Sequence, residues 1–270
     1  MQAVKLNNGT TMPPIGLGLW RVTDEQECIR AVQAGLAAGY RHFDTAQVYG
    51  NEAYLGKALQ GATIKRSELY ITTKIWNDNL GWTELPQSFE ATLKDLQTDY
   101  VDLLLIHFPV TEYRRPAWRQ MEAIAKSGRA KAIGVSNYMI PHLEELLREC
   151  AIRPAVNQIE LHVYLQQPEL VAYCQDNGIV VEAYSPLAHH SMLDNPVLAA
   201  IGKKHGKTPA QVMIRWCIDR GTVPLPKSVH DDRIKENSDV LDFSLDESDM
   251  KLIAGLEQDY RTCWDPTHVA

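Results

Sequence analysis

The 270-residue sequence predicts a single α/β domain, residues 1–270, built as a (β/α)8 TIM barrel with an N-terminal β-hairpin. Three observations lead there. Eight β-rich runs alternate with longer helical patterns, and no low-complexity linker interrupts them. The length suits one barrel core. The run VDLLLIH (101–107) is almost continuously apolar, as a parallel strand covered on both faces must be.

The elements follow in order. VKLNNGTTM (4–12) holds an Asn-Asn-Gly turn between two short extended pieces, which predicts the hairpin. IGLGLW (15–20) is the first barrel strand, followed by a helix from Asp24 to Ala38, capped by Thr23 or Asp24 and ended at Gly39. RHFD (41–44) precedes a helix over Glu52 to Leu59, and LYITTK (69–74) one over Leu85 to Leu96. VDLLLIHF (101–108) precedes a helix over Trp118 to Ser127. AKAIGVS (130–136) leads to a helix started by Pro141, and PAVNQIE (154–160) to one opening at Pro168. IVVEAYS (179–185) is followed by helical stretches over Val197 to His205 and Pro209 to Asp219. TVPLP (222–226) is the last strand and Arg233 to Val240 the last main helix. An open doubly wound sheet is the competing architecture. It lacks its dinucleotide fingerprint here, since GLGLWR (16–21) has Gly16 and Gly18 but no third glycine in place. Tyr70 and Lys74 have a Y-x-x-x-K spacing used on helices elsewhere, but LYITTK has the composition of a strand.

Composition narrows the function. Net charge is −7, without a basic block or stripe, so neither nucleic acid nor an anionic membrane is an expected partner. The N-terminal MQAVKLNNGTTMPPIG has no apolar signal core, and the longest apolar run is far too short to cross a bilayer. Five scattered cysteines, with no C-x-x-C pair, point to reduced thiols in a cytoplasm. A cytoplasmic monomer acting on a small molecule is expected.

Four side chains carry the chemistry. Asp44 closes YRHFD, Lys74 closes LYITTK, His107 closes VDLLLIH, and Tyr49 follows Asp44 in DTAQVYG. Alone, each has a plain structural role: a helix cap, a solvated strand end, a packed histidine, a loop aromatic. Together they fall at the carboxyl ends of consecutive strands, where barrel chemistry gathers. A carboxylate, a phenol, an ammonium and an imidazole suffice to protonate a carbonyl oxygen at neutral pH. Free tyrosine holds its proton until pH ~10. A cation 4 Å away at an effective dielectric near 20 is worth ~4 kcal/mol, nearly three pKa units. Lys74 is the expected cation, kept protonated by Asp44 against desolvation, so the expectation is an unusually acidic Tyr49.

These motifs resemble the aldo-keto reductase superfamily. GYRHFDTAQVYGNE (39–52) is similar to its first signature, and TTKIWN, DLLLIHFP, GVSNY, NQIE, YSPL and LPKSVHDDRIKEN follow in family order, from about Met12 to Asn237. The ITTKIWN run and brief loops most resemble the short bacterial 2,5-diketo-D-gluconate reductase-like members. The resemblance implies a barrel without a Rossmann domain, NADPH as hydride donor, and aldehydes or ketones as substrates, with 2,5-diketo-D-gluconate and methylglyoxal as candidates. It implies Tyr49 as general acid, tuned by Lys74 and Asp44, with His107 orienting the carbonyl or assisting proton transfer. For the cofactor it implies Ser136, Asn137 and Gln158 on the carboxamide and Tyr184 stacked on the nicotinamide. Ser185, Pro186 and Leu187 then cover the pyrophosphate, with Gly18 and Trp20 also facing the cofactor. Lys227, Ser228 and Arg233 take the 2′-phosphate, Val229 also contacts the cofactor, and Glu236 and Asn237 take the adenine amine. Asp231 and Asp232 balance that cluster's charge, so the phosphate assignment is carried by the resemblance. Trp20, Trp76, His107 and Phe108 line the substrate pocket, and the family often has tryptophan where this chain has Phe108. The short loop after His107 and the short tail from Asp259 to Ala270, with Trp264, imply an open pocket. Two other classes compete: a cofactor-binding regulatory or structural relative with little turnover, and a metal-dependent barrel hydrolase. The His189-His190 pair lacks the H-x-H on an early strand that the hydrolase needs, so no metal is expected.

Overall fold

Asn7, Asn8 and Gly9 reverse the chain, and strand β1 (Val4–Lys5) pairs antiparallel with β2 (Thr11–Met12). Leu6 and Met12 of this hairpin enter an apolar cluster with Tyr70, Leu103, Leu105, Ala132, Val156 and Val223. The hairpin therefore plugs one end of the barrel. The computed structural model describes residues 3–190 and 192–268, so the ends of the expected 1–270 unit lie outside the described residues.

Among the described residues the barrel has eight parallel strands in chain order. They are β3 (Leu17–Gly18), β4 (His42–Asp44), β5 (Tyr70–Ile75), β6 (Val101–Ile106), β7 (Ala130–Ser136), β8 (Val156–Glu160), β9 (Val180–Tyr184) and β10 (Val223–Leu225). All eight coincide with predicted runs, but β3 is only two residues long. The seam between β3 and β10 is closed by Gly16 N–H donating to the Pro224 carbonyl (3.1 Å) and Gly18 N–H to the Pro226 carbonyl (3.0 Å). Gly18 is glycine for room: a Cβ there would stand 3.1 Å from the Leu225 carbonyl oxygen.

The apolar runs divide by alternation. On β6, Leu103 and Leu105 join the inner cluster with the hairpin, while Leu104 and Ile106 join the larger cluster beneath the helices. The barrel's inner face turns polar towards the carboxyl ends, with His42, Asp44, Thr72, Lys74, Gln158, Glu160 and Glu182 all buried. The apolar layer outside makes the barrel rigid, so these polar groups hold fixed positions.

The helices are α1 (Glu25–Ala37), α2 (Glu52–Gln60), α3 (Glu84–Leu96), α4 (Arg114–Lys126), α5 (Ile140–Glu149), α6 (Pro168–Asp176), α7 (Pro196–His205), α8 (Pro209–Asp219), α9 (Asp231–Ser238) and α10 (Glu247–Ala254). Asp24, not Thr23, caps α1, its carboxylate accepting from Glu27 N–H at 2.8 Å. α4 begins four residues before the predicted Trp118. Pro116 falls in its first turn, where a missing N–H costs nothing. α9 begins and ends two residues earlier than expected, and α10 was not predicted at all. Its start is a reciprocal cap: Asp246 accepts from Asp249 N–H (3.0 Å), and Asp249 from Asp246 N–H (3.2 Å). Among the described residues no helix is long and apolar enough to cross a membrane.

Candidate active site

Asp44 and Lys74 meet because β4 and β5 are in register, Asp44 beside Thr72 and Lys74 beside Leu105 on the next strand. Both side chains turn into the barrel. Lys74 is fully buried and its Nζ donates to Asp44 Oδ1 (2.7 Å), the Thr45 carbonyl (2.9 Å) and the Tyr49 hydroxyl (3.3 Å). Tyr49 ends a single 3₁₀ turn, Gln47–Tyr49, that Gly50 terminates in the left-handed region at φ 66°. That turn brings the phenol back over the strand ends. His107 directly follows β6, and its ring meets Tyr49 edge-on at 5.9 Å between centroids.

Burial disfavours the charged form of Lys74 and pulls its pKa down. The Asp44 charge and the hydrogen bonds to Asp44 and Tyr49 reverse this and raise its pKa above the ordinary lysine value. The ammonium is thus charged at neutral pH. His107 moves the other way, well below the ordinary histidine value, through burial and then the Lys74 charge, so its imidazole is neutral. Tyr49 corrects the expectation of an unusually acidic phenol. Burial raises its pKa and Lys74 lowers it, with burial the larger, so the net shift is upward. The lysine offsets part of the desolvation rather than overcoming it. Tyr49 therefore carries its proton at neutral pH.

The expected cofactor residues converge on the same rim. Ser136 Oγ donates to the Gln158 carbonyl (2.9 Å), and Asn137 Nδ2 donates to the His107 carbonyl (3.0 Å). The Tyr184 hydroxyl donates to Asn137 Oδ1 at 2.8 Å. Gln158 spends both amide hydrogens on carboxyl groups, Asp44 Oδ2 and Glu182 Oε2, each at 2.8 Å. Among the described residues no donor meets its side-chain Oε1, which is left for an N–H of the kind a carboxamide offers. Ser185 has a positive φ of 50°, and Pro186 and Leu187 behind it are buried. Ser228 is buried and Val229 half-buried before α9, and Asn237 is buried within that helix. Lys227 and Arg233 flank this segment, and among the described residues neither makes an ion pair. Glu236 is committed elsewhere, accepting from Thr208 Oγ1 at 2.6 Å. The donor set fits a dinucleotide along the rim, with cations at the α9 end suited to a phosphate.

Around His107 lies an aromatic wall. Phe108 stacks on His107 (5.3 Å, 11°), and Trp76 meets both rings edge-on at 5.2 and 6.1 Å. The Trp20 ring stacks on His189 at 5.2 Å, with the Arg21 guanidinium 4.2 Å over it. His189 also pairs with Ser185 Oγ (3.1 Å) and Cys263 Sγ (3.5 Å). Among the described residues no group of three His, Cys, Asp or Glu side chains is placed to hold a metal. A separate cavity of about 330 Å³, lined by Pro13, Pro14, Arg41, Tyr70 and Asp102, contains none of the predicted site residues.

Sequence reasoning missed several supports. Gln47 Oε1 accepts from Trp76 N–H and Asn79 Nδ2, each at 2.9 Å, and so fixes one pocket wall. Asn51 ties Thr45 to the Leu19 and Val22 carbonyls. Trp264, named in the sequence only as part of the short tail, packs edge-on against Phe108 at 5.1 Å. Glu182 lies behind Gln158, with its second oxygen 3.6 Å from the His42 ring. Gln47 and Asn51 do lie within the stretch that drew attention to Asp44 and Tyr49. A lone acid in a strand such as VVEAY gave no signal.

A model of the aldo/keto reductase family matches residues 14–258. The chain belongs to the aldo/keto reductase family. The reductase is 44% identical over 263 residues to the glyoxal reductase of Bacillus subtilis strain 168, covering 97% of this chain and 95% of that protein. It is 45% identical over 267 residues to the methylglyoxal reductase DkgA of Escherichia coli O157:H7, covering 97% and 96%. A crystal structure of an aldo-keto reductase complexed with NADPH superposes with a TM-score of 0.93 at 36% identity, covering 97% of this chain and 90% of that one.

Glu182 gives this site a pH signature in stability. Burial, then the Asp44 charge, pushes its carboxyl up to about 8, and the nearby His42 is held neutral, lowered to about 3 by burial and Lys74. A carboxyl whose folded pKa exceeds the ordinary ~4.3 stabilises most below that ordinary value and loses the contribution as pH rises through the folded one. Stability of the reductase against urea is therefore expected to fall between pH 5 and pH 8, and Glu182→Gln to flatten that slope. Parallel slopes for the two proteins would show that Glu182 is not the titrating group.

Proposed function

We propose that the reductase uses NADPH to reduce the carbonyl of small aldehydes and 2-oxoaldehydes to alcohols, with Tyr49 as general acid. The observation that carries this is the line from Asp44 through Lys74 Nζ to the Tyr49 hydroxyl, at 2.7 and 3.3 Å. NADPH, when bound, supplies the hydride. The Tyr49 hydroxyl gives its proton to the carbonyl oxygen, and the tyrosinate left behind faces the Lys74 ammonium. Asp44 keeps that ammonium charged. Neutral His107 hydrogen-bonds the carbonyl oxygen and orients it without adding a second positive charge. Gln158, with Ser136 and Asn137, holds the carboxamide, and Tyr184 backs the nicotinamide ring. Ser185, Pro186 and Leu187 cover the pyrophosphate, near Gly18 and Trp20. Lys227, Ser228 and Arg233 receive the 2′-phosphate, with Val229 against the cofactor and Glu236 and Asn237 beside the adenine.

Two kinds of support bear on the substrate. The aromatic wall of Trp76, Phe108 and His107 favours small uncharged carbonyls, and the two relatives above are named for glyoxal and methylglyoxal. The alternative of a cofactor-binding relative with little turnover finds no support beside an intact set of Asp44, Tyr49, Lys74 and His107. The five free cysteines, three of them buried, fit a monomer in a reducing cytoplasm, which elution at the mass of one chain by gel filtration would check.

Replacing Tyr49 with Phe is expected to lower kcat for methylglyoxal or 4-nitrobenzaldehyde by about 10²- to 10⁴-fold, the usual worth of a general acid, while NADPH still quenches protein fluorescence. Wild-type turnover in that variant would end the assignment. Lys227→Ala with Arg233→Ala is expected to cut the NADPH-to-NADH ratio of kcat/KM by about 10- to 100-fold, from the loss of charge-assisted contacts. An unchanged ratio would send the 2′-phosphate elsewhere.

A further inference from the structure

Glu160 ends β8 two residues beyond Gln158 and is 1% exposed. None of the chemistry above uses it. A carboxylate so placed must find donors or become neutral. Within its own loop it has only the His162 ring, 3.3 Å away. Its other partners lie about a hundred residues further on, in the C-terminal tail. Oε1 accepts from Thr262 N–H (2.7 Å) and Thr262 Oγ1 (2.6 Å), and Oε2 from Cys263 N–H (3.2 Å). Burial opposes the ionised form, yet the bonds from His162 and Thr262 hold the carboxyl below its ordinary range. The anion and the tail therefore require each other.

Other side-chain ties of this stretch are Glu257 Oε2 accepting from Gln166 N–H (2.5 Å), Arg261 against Asp265 (3.7 Å), and the Cys263 thiol against His189 (3.5 Å) and Ser185 Oγ (3.6 Å). After α10 the tail has no helix or strand until the single turn at Pro266–His268. Gln258 and Tyr260 N–H reach the Tyr164 carbonyl at 3.2 and 3.0 Å, and Arg261 touches Gln167 Oε1 only at 3.5 Å. The residue immediately after the clamped pair is Trp264. It is 61% exposed on one side, while its ring packs on Phe108, which in turn stacks on His107. One buried carboxylate thus sets where the outermost aromatic of the carbonyl pocket stands.

We propose that Glu160 is a positioning residue for substrate choice, clamping Thr262 and Cys263 so that Trp264 narrows the pocket against Phe108. It touches neither substrate nor cofactor and acts through the tail. The inference rests on the carbonyl-reductase reading of the pocket. It specifies which group makes that pocket selective for small carbonyls.

The test compares Glu160→Ala, Glu160→Gln, Trp264→Ala and the double variant E160A/W264A. The readout is the ratio of kcat/KM for 2-naphthaldehyde to that for methylglyoxal, both with NADPH. Glu160→Ala and Trp264→Ala are expected to raise this ratio by a similar factor, about 10-fold, the scale on which an apolar wall discriminates. The double variant should rise no further than either single. Glu160→Gln keeps one acceptor oxygen for Thr262 and should fall between wild type and Glu160→Ala. A merely structural glutamate would lower Tm and leave the ratio alone, and that result overturns the proposal. So does a double variant equal to the product of the singles. Amide hydrogen exchange reads the clamp without any turnover: protection of Thr262 and Cys263 should be lost in Glu160→Ala, and retained protection refutes the clamp. If the wild-type reductase reduced neither aldehyde, the functional reading would fail on that measurement, and exchange would still decide the clamp.

Discussion

A lysine ammonium sealed inside the barrel governs the upper half of this molecule. Lys74 has no exposed side-chain surface, and an unpaired charge there would carry a desolvation penalty of several kcal/mol. The Asp44 carboxylate, the Thr45 carbonyl and the Tyr49 hydroxyl together satisfy its three hydrogens. Each partner is fixed by another element. Asp44 is held from the far side of the barrel by Gln158, Thr45 by Asn51, and Tyr49 by the turn that Gly50 ends. Breaking one of these links leaves a buried charge half-satisfied, so the geometry of the site and the integrity of the barrel are the same constraint.

That constraint also explains why the strands and the loops of this rim differ in character. The groups assigned to proton transfer sit on or next to rigid strands β4, β5 and β6, where a shift of a few tenths of an ångström would break the lysine's bonds. The segments that would hold a nucleotide and choose a substrate are loops: Ser185 to Leu187, Lys227 to Val229, and the tail around Trp264. Loops tolerate change where strands do not. A common chemical step with varied specificity is what this division of labour permits.

Much of this was legible in the sequence, and the reasons are specific. Strands such as VDLLLIH and helices opened by Pro168 or Pro209 follow local rules that the chain obeys. Asp44, Tyr49, Lys74 and His107 stood out because consecutive strand ends converge in any barrel. α10 was missed because its cap pairs two aspartates rather than the usual hydroxyl and glutamate. Glu160 and Glu182 were silent because a single acid in a strand reveals neither which face it occupies nor what lies opposite. The direction of the Tyr49 shift depended on depth of burial, a property of the whole fold and not of the motif.

The seam between β3 and β10 carries one more consequence. Strand β3 donates to Pro224 and Pro226, but proline nitrogens bear no hydrogen, so this junction receives nothing in return. The junction of β7 with β8, by contrast, exchanges bonds in both directions, Asn137 N–H to the Gln158 carbonyl and Ala155 N–H to the Ile133 carbonyl, so the β3–β10 seam is the more weakly tied of the two. Gly18 and Trp20 stand on one side of it and Lys227 and Ser228 on the other. A dinucleotide lying across both edges would act as a suture, tying ligand occupancy to the mechanical soundness of the whole enclosure.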